Sequence, residues 1–108
     1  MFGNIKSIFS QPDSSRLQQS INEGAFLVDV RTPMEFAEGN VKGSVNIPLD
    51  QLAAQLSRFK DKNSIVVFCR SGSRSGMAKS ILEQNGFTNV INGGAWDNVN
   101  SLVLHSAK

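Results

Sequence analysis

Residues 65–82 read IVVFCRSGSRSGMAKSIL, and their reading decides the fold. Ile65 to Phe68 is an unbroken apolar run of strand length, β-branched at its start. A polar stretch from Arg70 to Ser75 follows, with Gly72 inside it. Met77, Ala78, Ile81 and Leu82 then recur at helical spacing, and Asn85-Gly86 supplies a stop. A buried strand, a tight loop and a helix beginning around Arg74 or Ser75 are predicted. The lip between strand and helix holds Cys69, the chain's only cysteine.

The flanking sequence repeats the alternation of strand and helix. Leu17 and Ile21 lie four apart behind the capping candidates Asp13 and Ser14, which predicts a short helix ending near Gly24. Ala25 to Val30 is mostly apolar without period-two alternation, as expected of a strand covered on both faces. In Thr32-Pro33-Met34-Glu35, Thr32 can cap, Pro33 fits the first helical position and Glu35 stands where a capping box places its acid. Gly39 is expected to stop that helix. A short strand is expected around Ser44 to Ile47, and then Asp50 reads as the N-cap of a helix with Leu52, Leu56 and Phe59 on one face. A last strand near Val90-Ile91 leads through Gly93-Gly94 to a segment holding Trp96 and Val99.

This order predicts an α/β fold with a mainly parallel central sheet flanked by helices on both faces. No repeat, low-complexity tract or linker divides the chain, so residues 1–108 are expected to form a single domain with a core of about 14–100. In such sheets, sites gather at the carboxyl ends of strands, and Cys69 stands at one.

Composition narrows the function. The charge is only +2, from 11 basic and 9 acidic residues without any block of like sign, which gives nucleic acid or membrane binding no support. A lone cysteine forms no internal disulfide, and no His/Cys cluster has metal-ligand spacing. The opening MFGNIKSIFSQPDSS lacks the apolar stretch of a secretory signal, so a reducing, cytoplasmic setting is expected.

Three features converge on Cys69. Gly72 permits a tight turn whose backbone N–H groups can form an anion nest. The following helix start directs unpaired N–H groups and a positive dipole end at the same point. Arg70 and Arg74 add cationic charge at the rim. All three favour thiolate over thiol. Cys69 taken alone would read as a small hydrophobe at a strand end, but the combination points to a site. Four residues separate Cys69 from Arg74, giving C-x4-R. Cysteine phosphatases use C-x5-R, and the shorter loop suits a single sulfur atom better than a tetrahedral phosphate.

The sequence resembles the rhodanese-like domain family, single-domain thiosulfate sulfurtransferases. The loop Cys69-Arg70-Ser71-Gly72-Ser73-Arg74-Ser75 is similar to that family's active-site loop. Asp29-Val30-Arg31 followed by Glu35-Phe36, Gly39, Gly43 and Asn46-Ile47-Pro48 resembles a second signature, and Gly86-Phe87 with Gly93-Gly94-Ala95-Trp96 a third. The likeness spans residues 14 to about 100. It departs where relatives usually carry Gly-His-Ile and this chain has Gly39-Asn40-Val41, and where Gly-Ala is replaced by Gly43-Ser44. Asn40 can hydrogen-bond locally but cannot carry a proton.

The resemblance implies that Cys69 attacks the outer sulfur of thiosulfate, becomes a persulfide and passes the sulfur to cyanide or to a small or protein thiol. No metal or organic cofactor is implied. The backbone of Arg70, Ser71, Gly72, Ser73 and Arg74 would be the anion cradle. The side chains of Arg70 and Arg74 would hold the donor's sulfonate, with a structural ion pair as the alternative for Arg74. Asp29 is expected to orient a loop arginine, Arg31 to pair with Glu35, and Trp96 to pack as core or pocket wall. His105, the only histidine, lies outside every motif and reads as a surface residue. The competing readings are a persulfide carrier or partner-binding module with little turnover and, disfavoured by loop length, a cysteine phosphatase or arsenate reductase.

Overall fold

The computed structural model describes residues 14–106. In chain order the elements are α1 (Ser14–Asn22), β1 (Phe26–Asp29), α2 (Pro33–Glu38), β2 (Val45–Asn46) and α3 (Leu49–Leu52). A 3-10 segment (Ala53–Phe59) follows, then β3 (Ile65–Cys69), α4 (Ser73–Gln84), β4 (Val90–Ala95) and α5 (Trp96–Ser106). The strands form one parallel sheet in the order β2-β1-β3-β4. From β1 the chain winds to one side for β2, then crosses back for β3. The ends of β1 and β3 therefore meet at the point where the winding reverses, which is where open α/β sheets bind ligands.

The centre of the sheet explains its unpatterned strands. Every residue of β3 is buried because both faces are covered. Val66 and Phe68 join Leu27, Leu17, Ile21 and Val99 in a cluster under α1 and α5. Ile65, Val67 and Cys69 join Val28, Leu52, Phe59, Ala78 and Leu82 in a second cluster on the opposite face, under α3, the 3-10 segment and α4. Full burial of such side chains is worth about 1.5–3 kcal/mol each, so β3 is the main apolar spine of the fold.

The capping box of α2 forms as expected, with Glu35 N–H donating to Thr32 Oγ1 and Thr32 N–H donating to Glu35 Oε1. Other local expectations need correction. Asp50 does not cap α3: the helix starts at Leu49 behind Pro48, and Asp50 lies inside the first turn. After Leu52 the helix tightens to 3-10 geometry with a break at Gln55, although Leu52 and Phe59 stay buried and Leu56 packs beside them. Met77, expected on the buried stripe of α4, is exposed, whereas Ala78 and Leu82 are buried. Asp13 lies outside the described residues, and Ser14, the first described residue, is already helical. Gly39 ends α2 in extended backbone that any residue can adopt, so its small size has another cause. A Cβ there would sit 3.0 Å from Trp96 Cη2.

Candidate active site

β3 delivers Cys69 to the sheet's carboxyl edge with its side chain buried. The chain then turns at Gly72, whose φ of +101° lies in the region that side chains resist. That turn brings the Gly72 N–H to 3.0 Å from Cys69 Sγ. Helix α4 opens at Ser73, slightly earlier than expected, with Gly72 as an N-cap that offers no side chain. The orphan donors of its first turn therefore face the loop. The Ser75 N–H donates to Sγ at 3.4 Å, and the Ser75 hydroxyl stands 3.4 Å from it. Burial pushes the Cys69 thiol up, but the Ser75 hydroxyl and the N–H groups of Ser75, Ser71 and Gly72 outweigh it, and the net shift is downward. Thiolate is favoured.

Beneath this loop lies a support that the sequence reading missed. In β4, Asn92 pairs with Val67 but Gly94 pairs with Phe68, so Gly93 is the extra residue of a bulge. The bulge sets the Asn92 amide under the first turn of α4. Its Oδ1 accepts from the Ser75 hydroxyl at 2.7 Å and from the Gly94 N–H at 2.9 Å, while Nδ2 faces the Gly72 carbonyl at 3.4 Å. Gly93 is small because a Cβ would lie 2.9 Å from both Val66 Cγ1 and Val99 Cγ2.

The three arginines divide their work differently from expectation. Arg31 pairs with Asp29, not Glu35: Nε lies 3.0 and 2.9 Å from the two carboxylate oxygens and Nη2 lies 2.7 Å from Oδ2. Both residues are buried. Sequence neighbours at the end of β1 reach each other because Asp29 also accepts the Arg31 N–H, closing a tight local turn. Arg31 Nη2 further donates to the Gly39 carbonyl at 2.6 Å, and its guanidinium stacks 4.6 Å from the Trp96 ring centroid. The Asp29 carboxylate is thereby occupied by Arg31 and accepts no hydrogen bond from a loop arginine among the described residues.

Arg74 takes Glu35 instead, through Nη1–Oε1 at 2.8 Å and Nη2–Oε2 at 3.1 Å. The Arg74 hydrogen bonds, followed by the Thr32 N–H, hold the Glu35 carboxyl down at about 2. The Arg74 side chain thus ties α4 to α2 and is not a free cation at the rim. Arg70 is exposed and has no side-chain partner among the described residues. It borders a cleft of about 420 Å³ lined also by Arg31, Glu35, Glu38, Gly39, Trp96 and Asp97. Trp96 is a wall of that cleft.

The expected cradle residues divide accordingly. The N–H groups of Ser71, Gly72 and the unforeseen Ser75 serve Sγ, while those of Ser73 and Arg74 lie in the first helical turn, where no intrahelical acceptor exists. Asn92 left a usable signal, since a polar amide inside Val90-Ile91-Asn92 is out of place in a strand pressed against a helix. Asn40 donates to the Phe36 carbonyl at 2.9 Å and finishes α2. His105 is exposed in the last turn of α5. No helix among the described residues is long and apolar enough to cross a membrane.

A cysteine with backbone N–H groups donating to its sulfur, at the switch point of a parallel sheet and on the lip of a helix, defines a class of α/β protein with its thiol at the sheet's carboxyl edge. Within that class, the chain belongs to the rhodanese-like domain family, whose family model matches residues 13–98. It is 37% identical over 88 residues to a sulfurtransferase of Allochromatium vinosum, covering 82% of this chain and 80% of that one. It is 41% identical over 69 residues to the Escherichia coli thiosulfate sulfurtransferase PspE, covering 62% of this chain and 66% of the relative. Among solved structures it resembles a rhodanese with anions from E. coli, with a TM-score of 0.64 and 31% identity over 69% of this chain and 91% of that chain. Family and relatives together support sulfur transfer as the general chemistry.

Proposed function

We propose that this protein moves sulfane sulfur from thiosulfate or a similar donor to cyanide or a thiol through a persulfide on Cys69. The observation that carries this reading is the convergence of the Gly72 and Ser75 N–H groups and the Ser75 hydroxyl on one sulfur atom in a C-x4-R loop.

The Cys69 thiolate attacks the outer sulfur of thiosulfate. A sulfur–sulfur bond forms as the donor's own sulfur–sulfur bond breaks, and sulfite leaves with the electron pair. The outer sulfur of the persulfide then carries the developing charge, and the open N–H groups of Ser73 and Arg74 suit it. Arg70, unpaired at the cleft mouth, receives the donor's sulfonate with its planar fork. Arg74 contributes its backbone N–H, while its side chain braces the loop against α2. A cyanide or thiolate acceptor attacks the outer sulfur and restores the Cys69 thiolate, a ping-pong cycle typical of covalent catalysis. The cycle uses no metal or organic cofactor, and a reducing cytoplasm would keep the lone thiol available.

Incubation with thiosulfate should add one sulfur, roughly 32 Da, to the intact protein, and reductant should remove it as expected of a persulfide cap. Cys69→Ser should gain nothing. Wild-type protein unmodified by any sulfane donor, or an equal gain on Cys69→Ser, would refute the reading.

A further inference from the structure

The Ser75 hydroxyl has a single hydrogen and two acceptors within reach. Asn92 Oδ1 is 2.7 Å away and Cys69 Sγ 3.4 Å away. The Asn92 amide cannot turn over to relieve this competition, because Oδ1 also takes the Gly94 N–H and Nδ2 faces the Gly72 carbonyl. While Cys69 is a thiol every group is satisfied: the S–H donates to Ser75 Oγ, and the Ser75 O–H donates to Asn92. When the thiol proton leaves for water, the sulfur needs donors, and the one rotatable hydrogen in contact with it is the one Asn92 holds. Ser75 is fully buried, so water does not supply a substitute partner.

We propose that Ser75 is a two-position donor to the reactive sulfur and that Asn92 is a positioning residue that holds its hydrogen back, restraining the thiolate. The proposal rests on Cys69 being the reactive group of the proposed function, and it gives the two residues opposite effects on one thiol. A merely structural pair would move it in the same direction, since loosening either residue would slacken the amide ring. Charged groups near the sulfur are the Arg74–Glu35 pair from α4 and α2, the Asp29–Arg31 pair at the end of β1, exposed Arg70, and Asp50 beside Arg74 at the start of α3. Substitution at Ser75 or Asn92 leaves all of them in place.

The test is the pH dependence of iodoacetamide alkylation of the full chain, with thermal melting as the check on folding. Removing a hydrogen bond to a charged sulfur, Ser75→Ala should raise the alkylation midpoint by about one pH unit. Asn92→Leu, which keeps the side chain's bulk but accepts nothing, should lower it by about half a unit. In the Ser75→Ala background the same Asn92→Leu change should leave the midpoint unmoved. An upward or absent shift in Asn92→Leu, or an equal shift in both backgrounds, overturns the proposal. Should Asn92→Leu fail to fold, Asn92→Asp retains an acceptor for Gly94 and takes the Ser75 hydrogen more strongly. It should then raise the midpoint more when Ser75 is present than in Ser75→Ala, and equal rises would again refute the idea. No sulfur donor is used, so a protein that transferred no sulfur would fail the mass assay and still answer this titration.

Discussion

The ends of β1 and β3 lie side by side, with Asp29 in register with Phe68, and both carry the residues that mark this chain. They are built in opposite ways. At β1 the charges close on themselves: Asp29 and Arg31 neutralise each other in a buried pair, and Arg31 Nη2 also donates to the Gly39 carbonyl. Asn46 seals the same corner by donating to the Asp29 and Arg31 carbonyls at 3.0 and 2.9 Å. At β3 the donors outnumber their partners, because a glycine N-cap and the first turn of α4 surround one sulfur with N–H groups. The closed end gives rigidity, and the open end gives an anion a place to form. Since Arg31 and Arg74 are already paired, the function proposed above assigns the pull on an incoming anion to Arg70.

The largest test of that contrast removes the carboxylate from the closed end. Asp29→Ala leaves the buried Arg31 guanidinium with the Gly39 carbonyl and the Trp96 ring alone. Breaking a buried pair from one side costs about 3–5 kcal/mol, which urea unfolding should register as a large fall in midpoint. The thiol at the open end should keep its alkylation rate in whatever fraction stays folded. An Asp29→Ala protein of nearly wild-type stability would show that the pair is not the brace described here.

A smaller effect is expected where the two ends share a wall. Gly39→Ala places a methyl 3.0 Å from Trp96 Cη2, and the Arg31 guanidinium stacks on the same ring. The ring must yield by a few tenths of an ångström, at a cost of about 1–2 kcal/mol for overpacking. The thiosulfate KM should rise as the cleft narrows while kcat changes little. An unchanged KM would place donor binding away from this cleft.

How much of this was legible in the sequence follows the same contrast. The closed frame was visible as elements, because unbroken apolar runs, Pro33 at a helix start and the Thr32–Glu35 box are local signals. The sheet and its two covered faces followed from them. The partners of the arginines were not visible. Asp29 is two residues from Arg31 and Glu35 four, and composition cannot say that the turn after β1 folds Arg31 back on to its near neighbour. Arg74 and Glu35, 39 residues apart, meet only because α2 and α4 flank the same strand ends. Asp50 misled because a good capping side chain lost to Pro48, whose fixed φ starts α3 two residues earlier. At the open end Cys69 and Gly72 announced themselves. Asn92 showed only as a polar residue out of place in a strand, because its role depends on a bulge that shifts register by one residue within β4.

The smallest expected effect, and the one that asks most directly where Arg74 belongs, is Glu35→Gln. Glutamine can still accept the Thr32 N–H, so the capping box survives and the change isolates the charge. The Glu35 carboxyl titrates at about 2 in the folded chain against an ordinary value of 4.5. A carboxyl lowered on folding contributes stability that is full above its unfolded value and is lost as pH falls through its folded one. The stability gap between wild type and Glu35→Gln should therefore be constant above about pH 5, shrink from there downward and close near pH 2. The pair is partly solvent-exposed, so the plateau should be about 1 kcal/mol or less. Melting curves across that range measure it. The freed Arg74 then decides the second point. If its side chain serves only as a tie between α4 and α2, the thiosulfate KM should stay level or rise as the loop loosens. A falling KM would return Arg74 to the rim as a direct ligand of the donor, beside Arg70.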